Sequence, residues 1–491
     1  MSQPKPSSPL SDAEIRAIYA EGEEAVVSLV RALLERLNRL ESEVKDLQGQ
    51  LRKNSRNSSK PPSGDGFGKR PRSLRSPSER GSGGQSGHPG QTLEWRSEPD
   101  VVERHPVTVC SGCGVSLAGV AVEEVLARQV WDIPPIDVVV TEHQVEVKGC
   151  PCCGQVNQGS FPPEAKTVVQ YGPRLKGMMV YLMEGQLLPS NRVCEVLRDV
   201  VGVGVSEGTL YTTRAQCFEH LAPIETGIRQ AIAQAAVVHV DETGLRVNQR
   251  LWWLHVASTD GLTYYFAHPK RGPVAMDEMG ILPTFSGTAV HDGWKSYQHY
   301  DCGHALCNAH HLRELQYIFE HYAQPWAFQM SLLLVTLHHQ VEAAKAQGQS
   351  QLSQQDLAAF EARYQAILAQ GFADNPLPPL SLTRSKTRQR GRPRRSPPRN
   401  LLERLQAHSA SVLGFMYDFT LPFDNNQAER DLRMMKLKQK ISGSFRSEDG
   451  VKHFCRIRGY LATLRKQGLN VLDALLNLFS GNPQSPLPQP E

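Results

Sequence analysis

Two short turns, Cys110-Ser-Gly-Cys113-Gly and Cys150-Pro-Cys-Cys153-Gly, restrict this part of the chain more than any other feature of the sequence. Zn²⁺ takes four soft ligands in a tetrahedron. Each CxxC turn supplies two, and the following glycine lets the backbone curl so that its amides face the thiolates. Matched knuckles on separate hairpins predict a zinc ribbon across 101–170, with one structural Zn²⁺ on Cys110, Cys113, Cys150 and Cys153 and with Cys152 a bystander. The bland alternative is a chance pair of turns in a reduced cytosol. A closed four-thiolate site has no open coordination position, so chemistry is expected elsewhere.

The chain has 491 residues, more than one ordinary domain holds, and two or three are expected. A net charge of +4 is too small to argue for nucleic acid by itself; the clustering of the basic residues matters more. No stretch reaches the ~20 apolar residues of a membrane-spanning helix. Met1 to Asp12 is polar and carries no apolar signal segment, so a cytoplasmic protein without membrane contact is expected, its ten cysteines reduced or on metal.

Residues 11–52 read as one helix. Val26, Val30, Leu33, Leu37, Leu40, Val44, Leu47 and Leu51 alternate by four and three, the seam of a coiled coil that joins protomers into a homo-oligomer. The alternative is an amphipathic helix packed on the chain's own body. Residues 53–100 are rich in Ser, Pro and Gly and too poor in large apolar groups to fold alone, a basic disordered linker. Its Lys53, Arg56 and Lys60 suit either a solvated segment or an arm on DNA phosphates. Residues 171–235 are helical; Pro189–Gly202 followed by Val205–Gln216 has the pattern of a helix-turn-helix, which an ordinary helical hairpin shares.

From 236 to 310 strands and turns alternate. Ala236–Val240 reads as a buried strand ending at Asp241, and Thr288–His291 as another ending at Asp292; strands at 251–258 and 262–268 lie between them, and 304–307 is a possible fifth. Acids leaving the carboxyl ends of buried strands sit where an open sheet presents its ligands. Two such carboxylates repel unless cations lie between them. Two Mg²⁺ ions, roughly 3.5–4 Å apart, would hold the attacking and leaving oxygens of a phosphodiester exchange. A turn cap is the ordinary role of one strand-end Asp. A third acid is sought on the helix that follows Asp424, where a good N-cap cluster precedes Glu429. Arg433 falls one turn on, and Arg430 or Arg433 would steady Glu429 or a phosphate; an exposed surface pair is the plain alternative. The basic tract at 384–399 contains Arg390-Gly-Arg392-Pro-Arg394, suited to a narrow minor groove or simply to a solvated loop.

These motifs together resemble the transposases of the IS66 family of bacterial insertion sequences. The resemblance rests on Lys53-Asn-Ser-Arg-Asn-Ser-Ser-Lys-Pro-Pro-Ser63, the paired knuckles and His239-Val-Asp-Glu-Thr243. His291-Asp-Gly-Trp294, Cys307-Asn-Ala-His310 and Asp424-Asn-Asn-Gln-Ala-Glu-Arg430 complete it. It implies an α/β, RNase H-like catalytic core over 236–445 whose DDE triad falls on Asp241, Asp292 and Glu429, interrupted by a helical insertion at 311–423. A helical segment at 446–480 and a disordered tail at 481–491 follow. In the family the cysteine–histidine motif reads Cys-Trp-Ala-His; here Asn308 replaces the aromatic. Cys307 and His310 are expected to be structural, with weak metal binding the alternative. Glu242 ranks below Asp241 because it points to the opposite side if the strand continues.

The implied activity is cutting and joining of insertion-sequence ends, with DNA ends and target DNA as partners and accessory proteins of the same element as possible helpers. An RNase H-like nuclease without strand transfer, or a DNA-binding regulator with a dead site, are the rivals.

Overall fold

A computed structural model of the chain describes residues 11–52, 93–134, 136–377 and 395–487. Lys53, Arg56, Lys60, Arg390, Arg392 and Arg394 lie outside the described residues. Those described group into two compact units, one drawn from 1–72, 173–187 and 214–491, the other from 73–172 and 188–213.

The heptad region is two helices rather than one, α1 (Asp12–Ala20) and α2 (Glu23–Arg52). The break is at Gly22, whose φ of +106° only glycine adopts without strain. Along α2 the seam residues Val30, Leu33, Leu37, Leu40, Val44, Leu47 and Leu51 are exposed.

The smaller unit carries the knuckles. Its regular structure is sparser than the strand-like composition of 101–170 suggests: β1 (Val147–Gly149) and β2 (Val156–Gln158) pair antiparallel around the second knuckle, and an isolated bridge, Val109 to Ser116, closes the first. The helix α3 (Pro173–Val180) belongs to the larger unit; α4 (Ser190–Val201) and the start of α5 (Glu207–His220) belong to the smaller. Gly202 ends α4 in the left-handed region, donating to Arg198 O at 3.1 Å while Val203 N reaches Leu197 O at 3.1 Å, a Schellman stop. The two helices are therefore joined by a short turn, and Tyr211 of α5 donates to Ser190 of α4 at 3.1 Å.

In the larger unit α6 (Ala222–Ala233) leads into a five-stranded sheet of order β5-β4-β3-β6-β7. β3 (Val237–Val247), β4 (Arg250–Ser258) and β5 (Thr263–His268) are antiparallel neighbours; β6 (Thr288–His291) runs parallel to β3, and β7 (Gly303–Leu306) parallel to β6. The crossover from β5 to β6 passes through α7 (Pro273–Met279). β3 corrects one expectation: it does not end at Asp241 but continues six residues to Val247, paired throughout with β4. The turn is Asn248-Gln249, both at positive φ (46° and 65°), as a two-residue hairpin with the right twist demands.

Alternation along β3 divides the core. Val238 and Val240 pack with Ile224, Ile228, Ile232, Met276 and Leu461, whereas Leu245 and Val247 pack with Leu432, Met435 and Phe454. The insertion is α8 (Asn308–Tyr322), α9 (Pro325–Ala346), α10 (Gln354–Asp374), α11 (Pro397–Ala407) and α12 (Ser409–Tyr417), enclosing its own cluster around Trp326, Leu334 and Tyr364. Its last two helices, α11 and α12, are parted at His408. After α13 (Asn426–Ser442) the last helical stretch is likewise two, α14 (Glu448–Lys466) and α15 (Val471–Phe479). Gly468 at φ +69° stops the first, and Asn470 caps the second by accepting from Leu472 and Asp473. Residues 481–487 are held rather than loose: Tyr460 donates to Gln484 O at 2.9 Å, Gln467 donates to Pro486 O at 2.8 Å, and Leu487 packs on the core. No described helix is long and apolar enough to cross a membrane.

Candidate active site

Asp241 lies in mid-strand, opposite Val256 of β4, on the face of β3 that Leu245 and Val247 turn toward α13. Asp292 follows the last residue of β6, and its Oδ1 accepts the Trp294 N–H at 2.8 Å, fixing the Gly293 turn. Glu429 occupies the first turn of α13. Its neighbours are Arg313, 3.7 Å away, and His310 Nε2, 4.0 Å away, both on α8. Arg433, expected beside it, is exposed, as is Arg430.

Asp241 feels the charge of both other carboxylates. The Asp241 carboxyl is pushed up to about 8, first by burial, then by the charge of Glu242 beside it, with Asp292 and Glu429 adding to the rise. The N–H of Glu242, 2.8 Å from Asp241 Oδ1, opposes this only in part.

Glu242 has a different task, on the opposite face of the sheet. Its side chain is 1% exposed, and Oε1 accepts from Arg271 Nη2 at 2.6 Å and Nε at 2.8 Å, while Tyr297 donates to Oε2. Burial raises its carboxyl despite these partners. The guanidinium of Arg271 lies over the rings of Trp294 at 4.2 Å and Trp253 at 4.8 Å, so Glu242 ties the turn after Asp292 to the sheet.

A buried link joins β3, the start of α8 and the start of α13. Asn425, 2% exposed, donates its N–H to Cys307 Sγ at 3.2 Å and its side-chain amide to Val240 O at 2.9 Å, and its Oδ1 lies 2.9 Å from His239 Nδ1. Asn425 was expected among the residues capping α13; its side chain makes no such bond, and Asp424 Oδ1 accepts the Asn426 N–H at 3.0 Å instead. Cys307 itself is buried at the start of α8, its thiol pushed up to about 12 by burial. On the β6 side, His291 accepts from the Gly293 N–H at 3.0 Å and meets His304 at 3.1 Å, and burial lowers it to about 3. Arg313, Arg271, Tyr297 and Asn425 were not singled out by the sequence. For Arg313 a signal existed, since His310 and Arg313 fall one turn apart on one helix face.

The knuckles form with matching backbones. Cys110 N donates to Val115 O (2.9 Å) and Gly114 N to Cys110 O (2.9 Å); Cys150 N to Gln155 O (2.8 Å) and Gly154 N to Cys150 O (2.9 Å) repeat the pattern. Gly114 and Gly154 sit at φ +76° and +75°. The N–H groups of Gly112 and Cys113 hold the Cys110 thiol below its ordinary range, and those of Cys153 and Cys152 do so for Cys150. No three of the sulfurs of Cys110, Cys113, Cys150 and Cys153 lie within 4.8 Å of one another. Each turn nevertheless presents the cysteine pair and amide cradle that zinc takes.

The family model described as Transposase IS66 family matches residues 168–453, more than half of the chain. A second, described as the zinc-finger binding domain of transposase IS66, matches 108–154 and so spans both knuckles. Residues 4–94 match a family of unknown function. No curated protein matches the chain.

Proposed function

The chain belongs to the IS66 family of transposases, and we propose that it cuts and joins DNA strands at Asp241, Asp292 and Glu429 on an RNase H-like core. The observation that carries this reading is the Asp241 carboxyl, raised to about 8 with Asp292 and Glu429 among the causes. An acid raised by burial and by neighbouring carboxylates in a DNA-processing family calls for cations, and all-oxygen donors suit Mg²⁺. When bound, two such ions supply the Lewis acidity of a phosphodiester exchange. The order β5-β4-β3-β6-β7, three antiparallel strands followed by two parallel ones, supports the RNase H-like assignment.

The chain's own residues then divide the work. β3 holds Asp241 in a fixed place, Trp294 N–H orients Asp292, and Arg313 restrains Glu429. Exposed Arg430 and Arg433 on α13 offer contacts to backbone phosphates near the acids. Lys53, Arg56, Lys60, Arg390, Arg392 and Arg394 would add salt-sensitive DNA affinity. The α4–α5 pair and a zinc ribbon on Cys110, Cys113, Cys150 and Cys153 would recognise the element's ends. The exposed seam of α2 would pair protomers so that two ends are held together. Accessory proteins of the same element would act on this assembly.

The test is strand cleavage and joining on DNA bearing the element's ends with Mg²⁺, wild type against Asp292→Ala. Joined products from the wild type, and none from a variant that still binds DNA, support the proposal. Cut ends that never join would favour a hydrolytic nuclease, and equal inertness with intact DNA binding would favour a regulator.

A further inference from the structure

Cys307, His310 and Glu429 bring one ligand atom each, a thiol sulfur, a ring nitrogen and a carboxylate oxygen, to within 4.8 Å of one another. Among the described residues this is the group of three metal-type ligands that meets so closely, and it is not the all-oxygen set of the acids. Its chemistry is that of zinc: thiolate and imidazole prefer a borderline-soft cation, which Mg²⁺ is not.

Local structure favours the same ion. Cys307 is the N-cap residue of α8, a 15-residue helix, whose positive end partly offsets the cost of burial once a cation replaces the thiol proton. Its sulfur already accepts the Asn425 N–H at 3.2 Å, the kind of outer hydrogen bond that steadies a metal-bound thiolate. The Cys-x-x-His spacing sets His310 one turn along the same helix. Its Nδ1 is buried without a hydrogen-bond partner, an orphan that native proteins rarely leave, and its Nε2 lies 4.0 Å from Glu429. Arg313, 3.7 Å from Glu429, is the cation with which a metal would compete for that carboxylate.

We infer that Cys307, His310 and Glu429 form a second site, for Zn²⁺ or a similar thiophilic divalent cation, that shares Glu429 with the acidic set. Binding replaces the sulfur's proton by the metal and releases that proton to solvent. The shared carboxylate adds a consequence that rests on the function proposed above: zinc at this site withdraws Glu429 from Mg²⁺ and so opposes strand transfer.

The test counts metal on the full-length chain with neither DNA nor Mg²⁺ present, so its result is independent of whether the protein joins strands. Wild type, His310→Gln and Glu429→Gln are equilibrated with ZnCl₂, freed of unbound metal by gel filtration and analysed for zinc. Both side-chain changes keep size and polarity, and circular dichroism checks that each variant folds. Wild type is expected to hold about one zinc per chain more than either variant, the difference one ligand set makes. Cobalt in place of zinc should show a thiolate charge-transfer band that weakens in both variants. Equal zinc in all three chains would overturn the site. Loss in His310→Gln with full retention in Glu429→Gln would overturn the sharing of Glu429.

Discussion

Replacing Asp241 by Asn should stabilise the Mg²⁺-free protein, and the gain should grow with pH. The carboxyl titrates at about 8 in the folded chain against 3.8 in the unfolded one. Between those values the folded chain holds a proton that the unfolded chain gives up, so stability falls as pH rises through the window and levels off above it. At pH 7 the gap is about 3 pH units, which at about 1.36 kcal/mol per unit corresponds to about 4 kcal/mol of lost stability. Neighbouring acids can turn away and admit water, so an observed gain of about 1–2 kcal/mol is expected for the amide at pH 7, and little below pH 4. Urea unfolding followed by tryptophan fluorescence, from pH 5 to 8, measures it. Buffers should be stripped of Mg²⁺ on a resin before the protein is added, so that zinc stays in place. Adding Mg²⁺ should then reverse the order, because only the wild type gains the stabilisation of a bound ion. A variant no more stable than wild type at pH 8, or a difference that does not widen with pH, would refute the reasoning.

Other consequences are simpler to state. Arg271→Ala leaves the Glu242 carboxylate, 1% exposed, without its cation, and should cost about 3 kcal/mol in denaturant unfolding; Glu242→Gln in the same chain should recover part of the loss. Gly287→Ala would place a Cβ 2.5 Å from Ala236 O and 2.6 Å from Ala235 O, backbone atoms that cannot turn aside, so thermal melting should report a loss of about 2 kcal/mol or more. Glutamates in place of Leu37 and Val44 put charge on the exposed seam of α2 and should reduce self-association in sedimentation velocity; an unchanged size would remove α2 from the interface.

The sequence was most informative where the signal is local. Val238 and Val240 alternate toward one face and Leu245 and Val247 toward the other, and this change of face, with the acid pair at 241–242 and a turn without glycine, masked the continuation of β3. Asn248-Gln249 adopts positive φ at both residues, and Gln seldom marks such a turn. At the heptad seam, eight regularly spaced apolar residues outweighed Gly22, and the break there was missed. The linking role of Asn425 could not be read, because its partners Cys307, Val240 and His239 lie 118, 185 and 186 residues away. Cys307 and His310, three residues apart in one motif, were legible as a pair; their meeting with Glu429 depends on the packing of α8 against the start of α13 and was not.

The hairpin turn at Asn248-Gln249 has a chemical consequence beyond the shape of the sheet. Asp241 and Glu242 are adjacent acids on opposite faces, and strand register alone decides which meets the acids near α13 and which meets Arg271. A slip of one residue would exchange them, sending the longer acid toward Glu429 and the shorter one to the guanidinium. Two residues at a solvent-facing bend, far along the strand from either acid, therefore select which acid joins Asp292 and Glu429 in the proposed site, and a change in the length of that bend would rewrite the site without touching any residue in it.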